Sequence, residues 1–414
     1  MKKFIRIFVF TVIAIIILGN SIVQSQGWSR INPGTTQHFF GIHFPSSNIG
    51  YVAGDGILMK STDAGDTWVD ITPQANSYFN SVFFTDNSTG FAVEGMGDII
   101  KTTDGGISWS LLTNITEGDL RCVTFQSSET GYVVGFNGGG QKAYVFKTSD
   151  AGLTWTDRSP ANSLATELMD ASFLNPDTGF ACGFGGNVIK TTNGGLTWTK
   201  SSLGYEYDLT AIHFTDPDTG YVVGWNSLTY RGIIMKTVDG SSTWTNIWPS
   251  DYNFMIRDVW FADGHTGYVV GEKMFILKTT DGGSNWIQQS VANTDTTWDL
   301  YACHFNDVNT GWGVGPKGML VKTTNGGLGL NQMGSVNNTV MLSPNPVKDN
   351  LHIMNLNMGK DILFGITDLS GKVVLAGTYQ NDLGEIDVSQ LKNGIYFLKL
   401  LNANSITIIK FIKQ

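Results

Sequence analysis

Carboxylate side chains recur at a regular spacing in this 414-residue chain, which makes them the first candidates for chemistry. They belong to a phrase close to Lys-Thr-x-Asp-Gly-Gly-x-x-Trp, which begins at Lys60, Lys101, Lys147, Lys190, Lys236, Lys278 and Lys322. In two copies, Asn193 and Asn325 replace the Asp. An amide keeps an acceptor oxygen but cannot act as an acid or base, and a calcium loop would need further oxygen ligands. We therefore interpret this side chain as a hydrogen-bond acceptor that holds a turn closed.

Imidazole and thiol groups are common metal ligands, but their spacing here does not favour a metal site. Three imidazoles stand at equivalent places in the repeat, one residue before a Phe: His43, His213 and His304. Three thiols lie in separate apolar runs without a Cys-x-x-Cys spacing: Cys122, Cys182 and Cys303. We interpret the imidazoles as packing groups and the thiols as buried free cysteines, although one disulfide stays possible. The sequence thus predicts neither a metal nor a cofactor.

Short strands must position these residues. In one representative unit, strands at 211–214, 221–224 and 233–237 are followed by a fourth strand that runs to Trp244. Such units recur every 41 to 46 residues, a spacing typical of β-propeller blades. The Gly residues of the phrase supply positive φ angles, and the Trp covers the gap between neighbouring sheets. Where Ser241 replaces a Gly, we expect a looser turn.

We assign structural roles in these turns and gaps to Asp63, Trp68, Asp104, Trp109, Asp150, Trp155, Asn193, Trp198, Asp239, Trp244, Asp281, Trp286 and Asn325. The seventh phrase lacks its Trp, whereas Gly27 and Trp28 form an unmatched Trp segment near the start of the chain. A last unit that takes its outer strand from the other end of the array forms a closed ring. We therefore predict an all-β fold with a seven-bladed β-propeller that is closed by an N-terminal strand.

The repeated phrase, for example Ser61-Thr-Asp-Ala-Gly-Asp-Thr-Trp68, resembles the Asp-box or BNR repeat of several propeller families. Together with the preceding Thr-Gly-Tyr-Val-Val-Gly, it most resembles the seven-bladed photosystem II assembly/stability factor family. The resemblance covers residues 27–328 and implies the fold. The same repeat occurs in secreted proteins of organisms without a photosystem, so the resemblance does not assign the role.

The ends of the chain indicate export. Residues 1–25 have the layout of a signal peptide, with an apolar run that is short for a membrane span. After a propeller at 26–328 and a linker at 329–341, residues 342–414 predict a small C-terminal β-sandwich. Its Ser-Pro-Asn-Pro opening, Leu-x-x-Gly-x-Tyr strand and Lys-rich end resemble the type A sorting domain of the type IX secretion system. This resemblance implies the secretion machinery as a partner and a secreted or cell-surface protein.

The net charge and the composition of the loops limit the classes of partner that we expect this chain to bind. The formal net charge of −9 and the lack of a basic stripe disfavour nucleic acid, and we expect a monomer without a transmembrane segment after processing. Loops on one face of the propeller vary between units and carry aromatic, acidic and Arg residues. Glu94 is included because other units have Gly at its place. The ligand-binding candidates are Tyr78, Glu94, Asp119, Arg121, Glu167, Tyr207, Asp208, Trp225, Arg257, Trp298 and Asp299.

Two functions fit these residues. The first is a non-enzymatic module that binds an extracellular protein or glycan on the variable loop face. The second is a glycoside hydrolase, which would use two carboxylates of that face as acid and base or nucleophile. The few Arg residues show no sialidase-like cluster, and there is a single predicted propeller, so the binding function is favoured over the enzyme.

Overall fold

The computed structural model describes residues 27–73, 78–115, 117–139, 141–161, 164–248, 253–291, 298–327, 341–343, 346–354, 362–368, 372–379, 385–402 and 405–414. Over these ranges the chain is all-β and contains no helix, which confirms the predicted fold class. Accordingly, no described segment forms a helix that could cross a membrane. The predicted signal peptide and nearly all of the predicted linker lie outside the described residues.

Strand β1 (Ser29–Ile31) precedes the repeated sheets. Sheet 1 contains β2 (Phe39–His43), β3 (Gly50–Gly54), β4 (Ile57–Ser61) and β5 (Val69–Asp70). Sheet 2 contains β6 (Phe79–Phe84), β7 (Gly90–Glu94), β8 (Asp98–Thr102) and β9 (Ser110–Asn114). Sheet 3 contains β10 (Asp119–Phe125), β11 (Gly131–Phe136), β12 (Ala143–Thr148) and β13 (Thr156–Asp157). Sheet 4 contains β14 (Asp170–Phe173), β15 (Gly179–Gly183), β16 (Asn187–Thr191) and β17 (Thr199–Ser202).

The array continues with the same strand order. Sheet 5 contains β18 (Tyr207–Phe214), β19 (Gly220–Asn226), β20 (Arg231–Thr237) and β21 (Thr245–Asn246). Sheet 6 contains β22 (Ile256–Phe261), β23 (Gly267–Gly271), β24 (Phe275–Thr279) and β25 (Ile287–Gln288). Sheet 7 contains β26 (Ala302–Phe305), β27 (Gly311–Gly315) and β28 (Met319–Thr323), and β1 is its fourth strand. Within these seven sheets every strand pairing is antiparallel. The paired strands are adjacent in sequence, except for β1 and β28.

The sheets form a ring. The first strand of each sheet contacts the first strand of the next sheet, and β26 of sheet 7 contacts β2 of sheet 1. β1 pairs with β28 in the register Ser29↔Lys322 and Ile31↔Leu320. The N-terminal segment therefore supplies the outer strand of the last sheet, as the missing Trp predicts. We treat each of these four-stranded sheets as one blade.

Aromatic stacking joins each sheet to the next. The aromatic residue after the Gly that starts each second strand stacks on the Phe that ends the first strand of the following sheet. The stacked pairs are Tyr51–Phe84, Phe91–Phe125, Tyr132–Phe173, Phe180–Phe214, Tyr221–Phe261, Tyr268–Phe305 and Trp312–Phe44. The Trp of the repeated phrase meets that Phe edge-on, as Trp68 meets Phe44 with ring centroids 6.0 Å apart. In sheet 7, Trp28 takes this place at 5.7 Å from Phe305.

The Lys of the repeated phrase links sheets through hydrogen bonds, a role that the sequence analysis did not identify. Six of these Lys donate from Nζ to a backbone carbonyl in the turns of the following sheet, at 2.7–3.0 Å. Lys322 instead donates to Asp66 Oδ1 at 2.6 Å, which joins sheet 7 to sheet 1. A Cβ on Gly326 would lie 2.4 Å from Lys278 Nζ. Gly is thus needed there for the approach of this Lys as well as for its φ of +67°.

The turn after the third strand is closed by the Asp of the phrase. Asp63 Oδ1 accepts hydrogen bonds from Ser61 Oγ and Thr67 N, both at 2.8 Å, and Oδ2 accepts from Thr67 Oγ1 at 2.6 Å. Asn193 accepts from Thr197 N at 2.9 Å and donates from Nδ2 to Thr197 Oγ1. The amide therefore makes the equivalent bonds, which supports the interpretation of these residues as turn acceptors.

The expectation of a looser turn at Ser241 is wrong. Ser241 adopts φ +71°, and its N–H donates to Thr237 Oγ1 at 3.1 Å. The Gly that stands there in other copies makes the same bond at 2.8–2.9 Å, for example Gly283 to Thr279 Oγ1. The turn keeps its shape because this hydrogen bond and the Asp239 bonds to Thr243 hold the backbone in place.

Polar side chains inside the ring bind the free edges of the first strands β6, β18 and β26. Asp258 Oδ2 accepts from Cys303 N in the next sheet at 2.7 Å, and Asp170 Oδ2 accepts from Ile212 N at 2.9 Å. His43 Nδ1 accepts from Phe84 N at 3.2 Å. An edge strand otherwise leaves such N–H groups unpaired, so these side chains contribute to sheet-to-sheet binding.

The imidazoles and thiols lie within this arrangement. His43 and His304 are 5.1 Å apart between ring centroids, and His304 lies 4.5 Å from Trp260. Burial lowers the pKa of His213 and His304 to about 4. Cys122, Cys182 and Cys303 are free thiols. Over the described ranges no three His, Cys, Asp or Glu side chains are grouped so that they could hold a metal ion.

The C-terminal residues form two further sheets. One contains β29 (Met341–Ser343), β30 (Asn350–Met354) and β33 (Glu385–Asp387). The other has the order β32 (Val373–Tyr379), β31 (Ile362–Thr367), β34 (Gly394–Asn402) and β35 (Ser405–Lys413). One buried cluster draws on both sheets and includes Leu351, Ile386, Ile366, Leu398 and Phe411. Two sheets around one core constitute a β-sandwich.

We predict that Trp28→Ala destabilises the ring. Trp28 has no exposed surface and packs against Tyr268 and Phe305, so its truncation leaves a cavity in the closing sheet. The expected loss is about 3–5 kcal/mol in the free energy of unfolding, measured by urea denaturation of the full chain. Ile107→Ala, at a side chain that is 86% exposed, is the control and should change stability by less than about 0.5 kcal/mol. Equal stability of the two variants would contradict closure by this segment.

We also predict a pH dependence of stability from Asp258. Burial, followed by the charge of Asp170, raises the pKa of Asp258 to about 7. Asp258 in the folded chain therefore keeps a proton that it releases in the unfolded chain, and its contribution to stability falls as the pH rises from about 4 to 7. Because Asp258 retains some exposure to the channel, we expect the loss to be about 1–2 kcal/mol. Because the buried imidazoles of His213 and His304 act in the opposite direction over this window, the measurement, by denaturant unfolding at several pH values, is the difference in free energy of unfolding between the wild type and Asp258→Asn. Between about pH 4 and about pH 7 this difference should shift by about 1–2 kcal/mol against the wild type.

Candidate binding site

A cavity of about 640 Å³ opens at one end of the ring. Seven of its lining residues occupy the same position in the seven repeats, within or immediately before each first strand: Phe40, Asn80, Arg121, Met169, Thr210, Arg257 and Tyr301. We call these the mouth residues and the space the mouth cavity. They also line the narrower central channel of about 380 Å³, so they lie where the channel meets the mouth cavity.

The local backbone explains why these side chains converge. Each mouth residue follows a buried apolar residue, such as Phe39 or Leu120. In sheets 1, 2, 3, 5 and 6 the register with the second strand shifts at the mouth residue, which marks a β-bulge or irregularity. A bulge leaves its extra residue out of the ladder and redirects the side chain. Repeating it around a ring therefore turns several side chains toward the same axis.

The structure brings together part of the predicted set. Five predicted candidates line the mouth cavity: Tyr78, Glu94, Asp119, Arg121 and Arg257. Glu94 ends β7 and is 8% exposed, at the place where the other sheets have Gly. A Cβ on the equivalent Gly135 would lie 2.0 Å from the Asp119 carbonyl oxygen. Sheet 2 thus carries a carboxylate where neighbouring sheets have none.

The other six candidates do not line the mouth cavity: Glu167, Tyr207, Asp208, Trp225, Trp298 and Asp299. Trp225 is adjacent to it, because the Arg257 guanidinium lies 5.6 Å from its ring centroid. Asp208 and Asp299 accept hydrogen bonds from the backbone N–H groups of Gly185 and Lys273. These two carboxylates hold loops in place, and all six residues stay sequence predictions as ligand contacts.

The remaining three of these six lie in other surroundings. Tyr207 lines a separate cavity of about 750 Å³ along the outer strands of sheets 4 and 5. The Trp298 ring lies within 5.9 Å of the Arg30 guanidinium and 5.0 Å of Lys317 Nζ. Burial raises the pKa of Glu167, and the charge of Asp208 adds to this rise.

Sequence reasoning missed several lining residues: Phe40, Asn80, Met96, Met169, Thr210 and Tyr301. All six are uncharged, and those within or next to apolar strands resemble core residues in the sequence. The available signal was positional: the residue after the first buried apolar residue of each first strand is of six different types across the seven repeats, and only Arg occurs twice. When one position varies in an otherwise regular repeat, its side chain is not constrained by the core packing that the repeats share, which indicates that it faces a cavity or solvent.

Charged groups in the mouth cavity are paired. Asp119 forms an ion pair with Arg121, and its Oδ1 accepts from Asn80 Nδ2 at 2.9 Å. Asn80 Nδ2 also donates to Leu120 O at 2.7 Å, which fixes the amide. Burial raises the pKa of Asp119, and the charge of Arg121 opposes the rise. Arg257 Nη2 donates to Glu272 Oε1 at 2.9 Å, so both guanidinium groups are held in place.

Aromatic rings line the mouth cavity beside sheets 7, 1 and 2. The Phe40 ring lies between Tyr78 and Tyr301, with centroids 6.1 Å apart and planes inclined by 16° in both pairs. The Arg257 guanidinium is 5.5 Å from the Tyr301 centroid, so the aromatic run continues into the polar part. Such a mixture of apolar faces and fixed polar groups is typical of sites for small ligands.

The comparisons with known proteins agree with this architecture. Residues 342–414 match the family model described as secretion system C-terminal sorting domain. Residues 249–348 match the model described as photosynthesis system II assembly factor YCF48. Photosystem II assembly lipoprotein Ycf48 of Synechococcus sp. (strain CC9902) is 33% identical over 78 residues, which are 18% of this chain and 22% of that protein. The chain thus spans about a fifth of this relative.

Solved structures give the same fold at low identity. YCF48 bound to D1 peptide aligns with a TM-score of 0.59 and 20% identity over 72% of this chain and 97% of that one. PorZ, a surface component of the type-IX secretion system of Porphyromonas gingivalis, aligns with a TM-score of 0.57 and 13% identity over 93% and 60%. An ancestral GH74 enzyme aligns with a TM-score of 0.58 and 16% identity over 92% and 63%. Both resemblances seen in the sequence are thus confirmed: the chain contains YCF48-type propeller repeats and a secretion system C-terminal sorting domain.

Proposed function

We propose that this protein is exported through the type IX secretion system and acts outside the cell as a non-enzymatic binding module. Its ligand, an extracellular protein or glycan, binds in the mouth cavity. The sorting domain at 342–414 supports secretion and a contact with the secretion machinery. The predicted signal peptide at 1–25 completes this route across both membranes.

One observation carries the binding proposal. All seven mouth residues, together with Tyr78, Glu94 and Asp119, line a single cavity of about 640 Å³. That volume falls in the range of about 300–1,000 Å³ that is typical of ligand sites. A similar propeller has been solved with a peptide bound, which supports ligand binding by this fold.

We predict that ligand binding depends on Tyr78 and Arg121. The full chain is screened by surface-bound capture against polysaccharides and extracellular protein extracts, and the affinity of each captured ligand is then measured. Tyr78→Ala and Arg121→Gln should each weaken binding about tenfold, as expected for the loss of one well-placed contact. Both side chains are partly exposed, so neither change should unfold the chain.

Tyr205→Ala is the matched control, because Tyr205 is 80% exposed and does not line the mouth cavity. Its affinity should equal that of the wild type. Wild-type protein that captures nothing, or ligands that bind Tyr78→Ala and Arg121→Gln normally, would contradict the proposal.

A glycoside hydrolase is the second candidate. Glu94 and Asp119 both line the mouth cavity, and GH74 enzymes share the fold. Acid–base hydrolysis needs one carboxyl group that exchanges protons and one that stays ionised. Asn80 binds Oδ1 of Asp119 and Arg121 binds Oδ2, so both oxygens of this carboxylate are already engaged by protein groups, which favours binding over hydrolysis.

We therefore expect no release of reducing sugar from polysaccharides above the level seen with Glu94→Gln and Asp119→Asn. The measurement is a reducing-end assay with the full chain and both variants. Sugar release by the wild type that both substitutions abolish would establish the hydrolase in place of the binding module.

A further inference from the structure

We infer that the ligand of the mouth cavity is an uncharged carbohydrate that lies against the Tyr78–Phe40–Tyr301 rings and is oriented by the polar groups that flank this run of rings. This inference rests on the proposed binding function and specifies its ligand class. It follows from three features of the mouth cavity: its ring geometry, its charge balance and its fixed hydrogen-bonding groups.

The first feature is the run of rings. Tyr301 comes from sheet 7, Phe40 from sheet 1, and Tyr78 immediately precedes sheet 2, so the run follows the rim of the ring. Its planes are inclined by only 16° at each step. Tyr78 is 55% exposed, and the ligand therefore meets an aromatic surface instead of a filled core. The C–H faces of sugar rings are flat and apolar, and such faces pack on aromatic rings.

The second feature is charge. Glu94, Asp119, Arg121 and Arg257 are the charged residues that line the mouth cavity, two of each sign. Arg121 is paired with Asp119, and Arg257 is paired with Glu272 just outside. A ligand carboxylate or phosphate would have to displace one of these partners and leave another carboxylate beside it. The pairing therefore selects against an anionic ligand, and the balance of the four lining charges gives a cationic ligand no net attraction, which favours an uncharged ligand.

The third feature is the hydrogen-bonding geometry. Asn80 donates hydrogen bonds from Nδ2 to Asp119 and to Leu120 O, which fixes the direction in which its Oδ1 can accept a hydrogen bond. Arg257 uses Nη2 for Glu272 while its side chain stays 27% exposed, so other guanidinium N–H groups remain available as donors. Hydroxyl groups both donate and accept, and a polyol can bond to fixed donors and acceptors at once. Groups held in place by ion pairs cost little to order on binding.

The test is an array that carries neutral oligosaccharides, uronate oligosaccharides, and short acidic and basic peptides, probed with the full chain. Hits are remeasured by calorimetry with the free, unattached oligosaccharide. We expect neutral oligosaccharides to bind, and we expect Phe40→Ala to weaken that binding about tenfold. Phe184→Ala is the control, because Phe184 is partly exposed next to Trp225 but does not line the mouth cavity.

Salt dependence adds a readout that a mere loss of structure would not change. Because screening acts on charged partners, the Kd of an uncharged sugar should change by less than about twofold between 50 and 500 mM NaCl. If only uronates or peptides bind, the inference of an uncharged carbohydrate ligand is overturned, while the proposed binding function is retained. Binding of no ligand on the array would overturn the carbohydrate inference, and the proposed binding function would fall with it only if the extracellular protein extracts also yielded no ligand. Equal binding by Phe40→Ala and wild type would remove the ring surface as the contact.

Discussion

Contact between neighbouring sheets is the constraint on which this fold depends. Each four-stranded sheet is too small to bury its own apolar face, so it gains stability mainly from the sheets beside it. The aromatic residue of one sheet stacks on the Phe of the next, as Tyr51 does on Phe84 at 3.4 Å. The Lys of the repeated phrase adds a hydrogen bond at the same interface, as Lys60 does to Gly105 O. These contacts must also be made between sheets 7 and 1, and closure by Trp28 and β1 follows from that need.

The same constraint explains where variation is tolerated. Turn, Lys and aromatic residues are occupied in sheet-to-sheet contacts, and changes there would weaken an interface. The mouth residues follow the first buried position of each first strand and contact the cavity instead. Phe40, Arg121 and Met169 can therefore differ without loss of the ring. The seven equivalent positions carry six different residue types. The residues that contact a ligand can therefore change while the contacts that form the ring stay the same.

Much of the fold could be predicted because the period of the repeat is directly recognisable in the sequence. The turn role of Asp63 followed from Asn193 at an equivalent place, since an amide keeps only the acceptor function. The role of Lys60 could not be read in this way, because its partner lies 45 residues away in the next sheet. Ser241 was misjudged for a similar reason: its propensity against positive φ is outweighed by the hydrogen bonds of the surrounding turn.

The sequence by itself determined the strand order, the all-β class, the closure of the ring and the two resemblances, because each rests on local or repeated patterns. Only the tertiary structure decided which loop residues meet. Arg121 and Arg257 share the mouth cavity although they are 136 positions apart, whereas Trp298 and Asp299 lie elsewhere. It also revealed that Phe40 and Tyr301 face a cavity and are not core residues. The physical reason is that a β-bulge redirects a side chain through backbone geometry, which residue type does not show.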